Sequence, residues 1–294
     1  MKKKLLLLVF LLLANLTFAQ NTILWSVKKP NSEKTSYILG TFHQMGNSFV
    51  DEKPLIKELL SKSELIIFES IEDSKTKAEV EEVFLNRKDD YSYREILHQD
   101  DVQFLNNYSK DWKIPIHKLK PGELILKLHQ EIVKERCSTI NTTDTFQQME
   151  DYLQHLAKQN SVPVLGLETY VDQMKVINSS YTDKEELSWD KAKNIIHQYV
   201  TDANTNDKKR LKQICSIANN YMRMKLDYQF NLKCSGEDQL LTKRNNKWMP
   251  QILKSINDNK TVFIAVGLYH LYYDCGIISQ LKREGYEVKP IKLK

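Results

Sequence analysis

Two stretches of the chain place a histidine three residues after a glycine that closes an apolar run. The first is Ser36-Tyr37-Ile38-Leu39-Gly40-Thr41-Phe42-His43, and the second is Thr261-Val262-Phe263-Ile264-Ala265-Val266-Gly267-Leu268-Tyr269-His270. β-Branched and aromatic residues dominate both runs, which predicts strands, and each run stops at its glycine. Each imidazole then falls just beyond a strand's carboxyl end, the edge where open α/β sheets place their chemistry. Neutral imidazole is a common transition-metal ligand and a frequent general base, so two histidines converging from opposite ends of the chain point to a metal or acid/base site. One G-x-x-H alone says little, and each histidine could instead cap a turn. The repetition after two strand-like runs carries the reading.

Two carboxylates stand in equivalent positions. Leu65-Ile66-Ile67-Phe68-Glu69 and Val162-Pro163-Val164-Leu165-Gly166-Leu167-Glu168 both read as short strands ending in a glutamate. A lone glutamate at a strand end is more often a cap or a surface partner, but two histidines with one or two glutamates make a donor set that Zn, Mn, Co or Fe accept. Arg244, in Arg244-Asn245-Asn246-Lys247-Trp248, could supply a cation for a substrate carboxylate or oxyanion, or simply cap and pack a helix. His98, His117, His129, His155 and His197 fall in helical or loop segments with no acidic partner at ligand spacing and read as surface residues. No H-E-x-x-H, G-x-S-x-G or P-loop is present, which argues against ordinary zincins, α/β-hydrolases and nucleotide enzymes.

The elements that must position these groups follow from the spacing. Ile23 to Val27 and Tyr37 to Leu39 read as a hairpin across Lys29-Pro30-Asn31-Ser32. A helix opened by Asp51-Glu52-Lys53-Pro54 carries Leu55, Ile56, Leu59 and Leu60 and leads to the strand at 65–69. A parallel crossover of this kind puts His43 and Glu69 on one sheet edge. Apolar residues recur at helical spacing from about Thr76 to Lys134, a Thr-, Ser- and Asn-rich loop runs from Cys137 to Thr145, and a helix follows through Met149, Leu153 and Leu156. Residues 170–258 are almost entirely helix-like, with polar breaks near Ser179-Ser180, Thr201 to Asp207 and Cys234-Ser235-Gly236. The strand at 261–266, a helix through Ile277, Ile278 and Leu281, and a last strand from Tyr286 to Ile291 close the chain. The fold class is therefore α/β, a mixed central sheet built from βαβ pieces at the start, middle and end. After residues 1–19, residues 20–294 read as one domain, with mostly helical insertions at about 75–160 and 170–258.

Residues 1–19 have the form of a signal peptide: Lys2, Lys3 and Lys4, an apolar Leu5 to Leu13, and Thr17-Phe18-Ala19 before Gln20. The apolar stretch is short for a membrane span and no later run approaches roughly 20 apolar residues, so the expectation is an exported, periplasmic or secreted protein without stable membrane insertion after cleavage. Loss of the leader lowers the net charge from +5 to about +2, which gives no ground for a nucleic-acid partner. Oligomeric state is not legible. The four cysteines, Cys137, Cys215, Cys234 and Cys275, suit two disulfides in an oxidising compartment. Three pairings are open, and Cys215 with Cys234, flanking one helical segment, is the mild preference.

Taken together these segments resemble the TraB/GumN proteins, the superfamily that includes the Tiki metalloproteases. Leu24-Trp25 with Tyr37-Ile38-Leu39-Gly40-Thr41-Phe42-His43 resembles the family's "LW…LGTxH", Leu165-Gly166-Leu167-Glu168-Thr169 with Gln173 its "GLET…Q", and Lys243-Arg244-Asn245-Asn246-Lys247-Trp248 its "RNxxW". Val266-Gly267-Leu268-Tyr269-His270-Leu271, with Gly276-Ile277-Ile278 and Gly285-Tyr286-Glu287-Val288, resembles the ending "GAGHLxG…GL…GYxV". The resemblance implies a mixed α/β core with a helical insertion, like that of erythromycin-esterase and ChaN-like proteins. For the Tiki branch it implies a divalent-metal protease using both G-x-x-H histidines and a glutamate. Where the family has glycines, this chain has Tyr269 and Tyr273, so the mouth near His270 should be crowded and aromatic.

The resulting expectation is an exported metal-dependent hydrolase, a peptidase acting on peptide or protein substrates, with a divalent metal ion (Mn, Co or Zn). His43, His270 and Glu168 are the expected ligands, Glu69 or Glu168 completes the shell or acts as base, and Arg244 is the accessory cation. The alternative is a non-catalytic protein that captures a peptide or an iron or haem ligand in the same cleft.

Overall fold

A six-stranded sheet runs through the molecule and gathers strands from the start, middle and end of the chain. The computed structural model describes residues 21–293 apart from 72–73, 179–186, 235–238 and 259–260. The expected signal peptide and the breaks at Ser179-Ser180 and Ser235-Gly236 lie outside the described residues. Leu24–Lys28 (β1) and Thr35–Thr41 (β2) form the predicted hairpin, with Trp25 opposite Ile38. Leu65–Phe68 (β3), Val164–Gly166 (β4), Val262–Gly267 (β5) and Glu287–Ile291 (β6) complete the order β4-β3-β5-β2-β1-β6. Strands β2, β5, β3 and β4 are mutually parallel, and β1 and β6 pair antiparallel at the other side. This is the mixed α/β sheet that the sequence predicts. The carboxyl ends of the four parallel strands share one edge.

Strand β5 is the sheet's centre, and its apolar run is buried from Val262 to Val266, as a strand covered on both faces requires. Both G-x-x-H glycines lie inside strands rather than after them. They face a close approach: a Cβ on Gly40 would come 2.8 Å from Leu268 Cδ1, and one on Gly267 would come 3.0 Å from Glu69 Oε1. Strand β4 spans three residues instead of the seven expected, because Pro163 has no N–H to give the ladder and only its carbonyl is used, by Ile66 N–H at 2.9 Å.

A short helix, Asn47–Asp51 (α1), stands where a loop was expected. The helix expected to open at Asp51-Glu52-Lys53-Pro54 follows it as Pro54–Ser61 (α2), with Pro54 in its first turn. Thereafter come Ser74–Leu85 (α3), Tyr93–Ile96 (α4), Gln99–Tyr108 (α5), Pro121–Arg136 (α6), Met149–Gln159 (α7) and Tyr170–Asn178 (α8). Trp189–Asn204 (α9), Lys208–Ile214 (α10), Ser216–Met222 (α11), Gln239–Asn257 (α12) and Ile277–Arg283 (α13) follow.

Their apolar faces form two main cores. Helices α7 and α12 pack on the sheet through Met149, Leu153, Trp248 and Ile252. A second core unites Phe84, Leu105, Leu124, Leu128, Trp189 and Ile196 from α3, α5, α6 and α9. The helices between the strands thus divide by packing: much of 75–136 and 189–204 builds the second core, whereas α7 and α12 belong to the sheet.

Two disulfides form, but not with the favoured partner. Cys137 joins Cys215 and Cys234 joins Cys275. Tertiary packing decides this: Cys137 and Cys215 meet in a small apolar cluster with Val133 and Ala218, and Cys234 is drawn toward the loop after His270, where its N–H donates to Asp274 Oδ1 at 3.1 Å. No helix among the described residues is long and apolar enough to cross a membrane.

Candidate functional site

Arg244 on α12 is the hub of the shared sheet edge. Its Nε donates to Glu168 Oε1 at 3.0 Å, and Nη2 donates to Glu168 Oε1 at 2.5 Å and to Glu69 Oε2 at 2.6 Å. Its Nη1 lies 2.9 Å from His270 Nε2. A guanidinium can only donate, so Nε2 of His270 accepts and Nδ1 carries the proton, which it gives to Asn245 Oδ1 at 2.6 Å. Asn245 is itself fixed, with Nδ2 donating to the carbonyls of His270 and Cys275 at 3.2 and 3.1 Å. Trp248, one turn on, donates Nε1–H to Glu168 Oε2 at 3.2 Å, and its ring lies 4.3 Å from that of His270. The Arg-Asn-x-x-Trp spacing therefore puts on one helix the fork, the group that orients His270, and the wall behind both.

Glu69 closes the other side. Its Oε1 accepts from Gly267 N–H at 2.6 Å, and Gln173 Nε2 reaches Oε2 at 3.4 Å from α8. Burial opposes the charge on Glu69, but the positive charges of His270, Arg244 and His43 and the Gly267 N–H prevail and hold its pKa down to about 2. Burial pushes His270 down to about 3 against the pull of Glu69, with the Arg244 cation adding to the depression. At neutral pH the pair is an anion beside a neutral imidazole.

His43 sits apart from this cluster, half-exposed, with Nδ1 3.0 Å from Glu150 Oε2. Glu150, in the first turn of α7, takes a short hydrogen bond from Thr41 Oγ1 through Oε1. Its Oε2 is buried and accepts no hydrogen bond. A pocket of about 40 Å³ is lined by His43, Glu69, Glu150, Asp151 and Gln154 among others, more than the roughly 10–15 Å³ that one water needs. It adjoins a cleft of about 830 Å³ whose floor includes His43, Glu69 and Arg244 and whose far wall, from the second core, presents Phe84, Trp112, Tyr170 and Met174.

All five expected site residues reach the same edge, but in two groups. His270, Glu69, Glu168 and Arg244 form one hydrogen-bonded cluster. His43 pairs with Glu150, a residue that the sequence reading missed because nothing in Met149-Glu150-Asp151 distinguishes it from an ordinary first-turn acid. Among the described residues, no three ligand atoms from His43, Glu69, Glu150, Glu168 and His270 lie within 4.8 Å of one another. Glu168 is consumed by Arg244 and Trp248, and its side chain is 2% exposed.

Fit to a divalent cation therefore differs between the two groups. On the His270 side every acceptor already has a donor. On the His43 side, the orphaned Glu150 oxygen beside an imidazole nitrogen, in a polar pocket shared with anionic Glu69, suits a cation with mixed nitrogen and oxygen ligands.

The expected aromatic crowding lies elsewhere. Tyr269 and Tyr272 pack together, and Tyr272 packs on Tyr228. None of Tyr269, Tyr272 and Tyr273 lines the cleft. Tyr273, where the resembling motif has glycine, adopts φ of 65°, a conformation that favours glycine. A family profile described as the TraB/PrgY/gumN family matches residues 23–290. No curated protein matches the chain.

Proposed function

The chain belongs to the TraB/PrgY/gumN family, and from that premise we propose that it is an exported metal-dependent hydrolase acting on peptide or protein substrates. The observation that carries this is the buried, undonated Glu150 Oε2 facing His43 at the mouth of the cleft. His43 and Glu150 would hold the ion, Mn, Co or Zn, with Glu69 across the pocket. Such an ion lowers the pKa of a bound water to about 7 and so supplies a nucleophile at neutral pH.

The remaining residues bind, orient and hold charge. Arg244 is clamped by Glu168 and Trp248, so its cation stays at the cleft floor where negative charge on a substrate carbonyl would develop. A carboxylate with a pKa near 2 is a poor proton acceptor at neutral pH. Glu69 therefore acts as a fixed anion rather than as the base. His270 keeps Arg244 in place through an accepting nitrogen, which its Asn245 bond enforces. The cleft's volume lies within the roughly 300–1,000 Å³ usual for ligand sites, and its apolar far wall suits a substrate with aromatic or aliphatic side chains.

The test is turnover of a peptide library by chelated protein, with and without added Mn, Co or Zn, for the wild type, His43→Ala and Glu150→Gln. Metal-stimulated cleavage that is lost in both variants is the expected result. Peptide binding without cleavage under any of the three metals would overturn it in favour of a capture protein.

A further inference from the structure

A second group of metal-ligating side chains lies in the helical core, away from the cleft. Asp101, in the first turn of α5, is 2% exposed. Its two carboxylate oxygens lie 3.1 and 3.0 Å from Nδ1 of His197 on α9, and among the described residues no other side chain is hydrogen-bonded to them. His98, the residue that precedes α5, brings its ring to 4.9 Å from that of His197. One ligand atom from each of the three residues lies within 4.8 Å of the others. None of the three lines the cleft.

We propose that His98, Asp101 and His197 form a divalent transition-metal site, of the zinc class, that clamps α5 to α9. A buried carboxylate needs a paired charge or a metal, and here its partner among the described residues is an imidazole whose side chain is 55% exposed. A metal with bonds of about 2.0–2.1 Å sets neighbouring ligand atoms roughly 3.3 Å apart in tetrahedral geometry. The Asp101–His197 spacing is near that value, so an ion fits between the two with little movement of either side chain. His98 is the third ligand, and water completes the shell from the solvent side.

Two imidazoles and one carboxylate select a borderline cation. Thiolates are absent, which disfavours copper(I), and the oxygen-only shells of magnesium and calcium cannot be built here. The ligands stand on rigid supports, because Val102 and Leu105 of α5 share a core with Ile196 and Val200 of α9. The sequence hides the site: Asp101 and His197 are 96 residues apart along the chain, and His98 and Asp101 resemble ordinary residues at a helix start.

The experiment is equilibrium dialysis of untagged protein against zinc, with magnesium in parallel. The parent is His43→Ala/Glu150→Gln, so that ions at the cleft do not enter the count. The expected result is one zinc and no magnesium per parent chain, with affinity at least tenfold weaker when His98→Ala or His197→Ala is added. Tenfold is the lower end of what loss of a group supporting a ligand costs, and these are ligands. Both histidines are solvent-exposed, and circular dichroism checks that the fold survives. No zinc on the parent, or zinc held equally well by both added variants, would overturn the site. Neither result depends on whether the cleft hydrolyses peptides.

Discussion

Replacing Arg244 by methionine removes the cation that neutralises two buried carboxylates and caps a buried imidazole. The side chains of Glu69 and Glu168 are 9% and 2% exposed, so neither can recover its hydration in place. Breaking a buried pair by removing one partner costs about 3–5 kcal/mol. At roughly 2–4 °C per kcal/mol for a chain of this size or somewhat smaller, the melting temperature should fall by about 10 °C. Arg244→Lys keeps a charge but loses the planar fork that serves Glu168 through Nε and Nη2 together. It should therefore fall between wild type and Arg244→Met.

The pH dependence separates lost charge pairing from lost packing. In the wild type, the folded pKa of Glu69 is depressed from 4.5 to about 2, so its contribution is complete above the unfolded value and is lost as pH falls from about 4.5 toward 2. Without Arg244, burial acts with less opposition and raises the folded pKa of Glu69 relative to the wild type, so protonation relieves the variant at higher pH. The deficit of Arg244→Met should thus be largest near pH 7 and shrink below about pH 4.5. Urea titrations followed by circular dichroism at pH 7 and pH 4 measure it. A deficit under about 1 kcal/mol at pH 7, or one that does not change with pH, would refute the argument that paired charge at Arg244 holds this edge together.

Two further expectations concern processing. A non-reducing digest should yield Cys137 linked to Cys215 and Cys234 linked to Cys275, closing separations of 78 and 41 residues and each contributing about 4 kcal/mol by the loop-entropy estimate; a Cys215–Cys234 peptide would contradict the packing described above. Intact mass of the protein recovered from outside the cytoplasm should correspond to a chain beginning at Gln20, and retention of Met1 would count against export through a cleaved leader.

The legible part of this protein is the part whose cause is local. Runs such as Val262 to Val266 announce strands through their own side chains, and the glycine that follows each run was readable as its end, though the close approach at Gly40 and Gly267 was not. The crossover alone put His43 and Glu69 on one sheet edge, and Glu168 and His270 were legible as further strand-end groups. The resemblance in Arg244-Asn245-Asn246-Lys247-Trp248 marked that segment, though not what each residue in it does.

Tertiary structure alone decided which of those groups touch. Arg244 meets Glu69 across 175 residues and Glu168 across 76, and this consumes Glu168, which sequence reasoning had offered as a metal ligand. Thr41 meets Glu150 across 109 residues, and that helix start delivers to His43 a carboxylate with no sequence signature. The cysteines and the His98–Asp101–His197 group follow the same rule. Periodicity reports the conformation that each residue prefers and which face of its element is apolar. The partner of a polar side chain depends on how distant elements pack over the sheet, and a burial that leaves one oxygen undonated, or one carboxylate shared, exists only once that packing is complete.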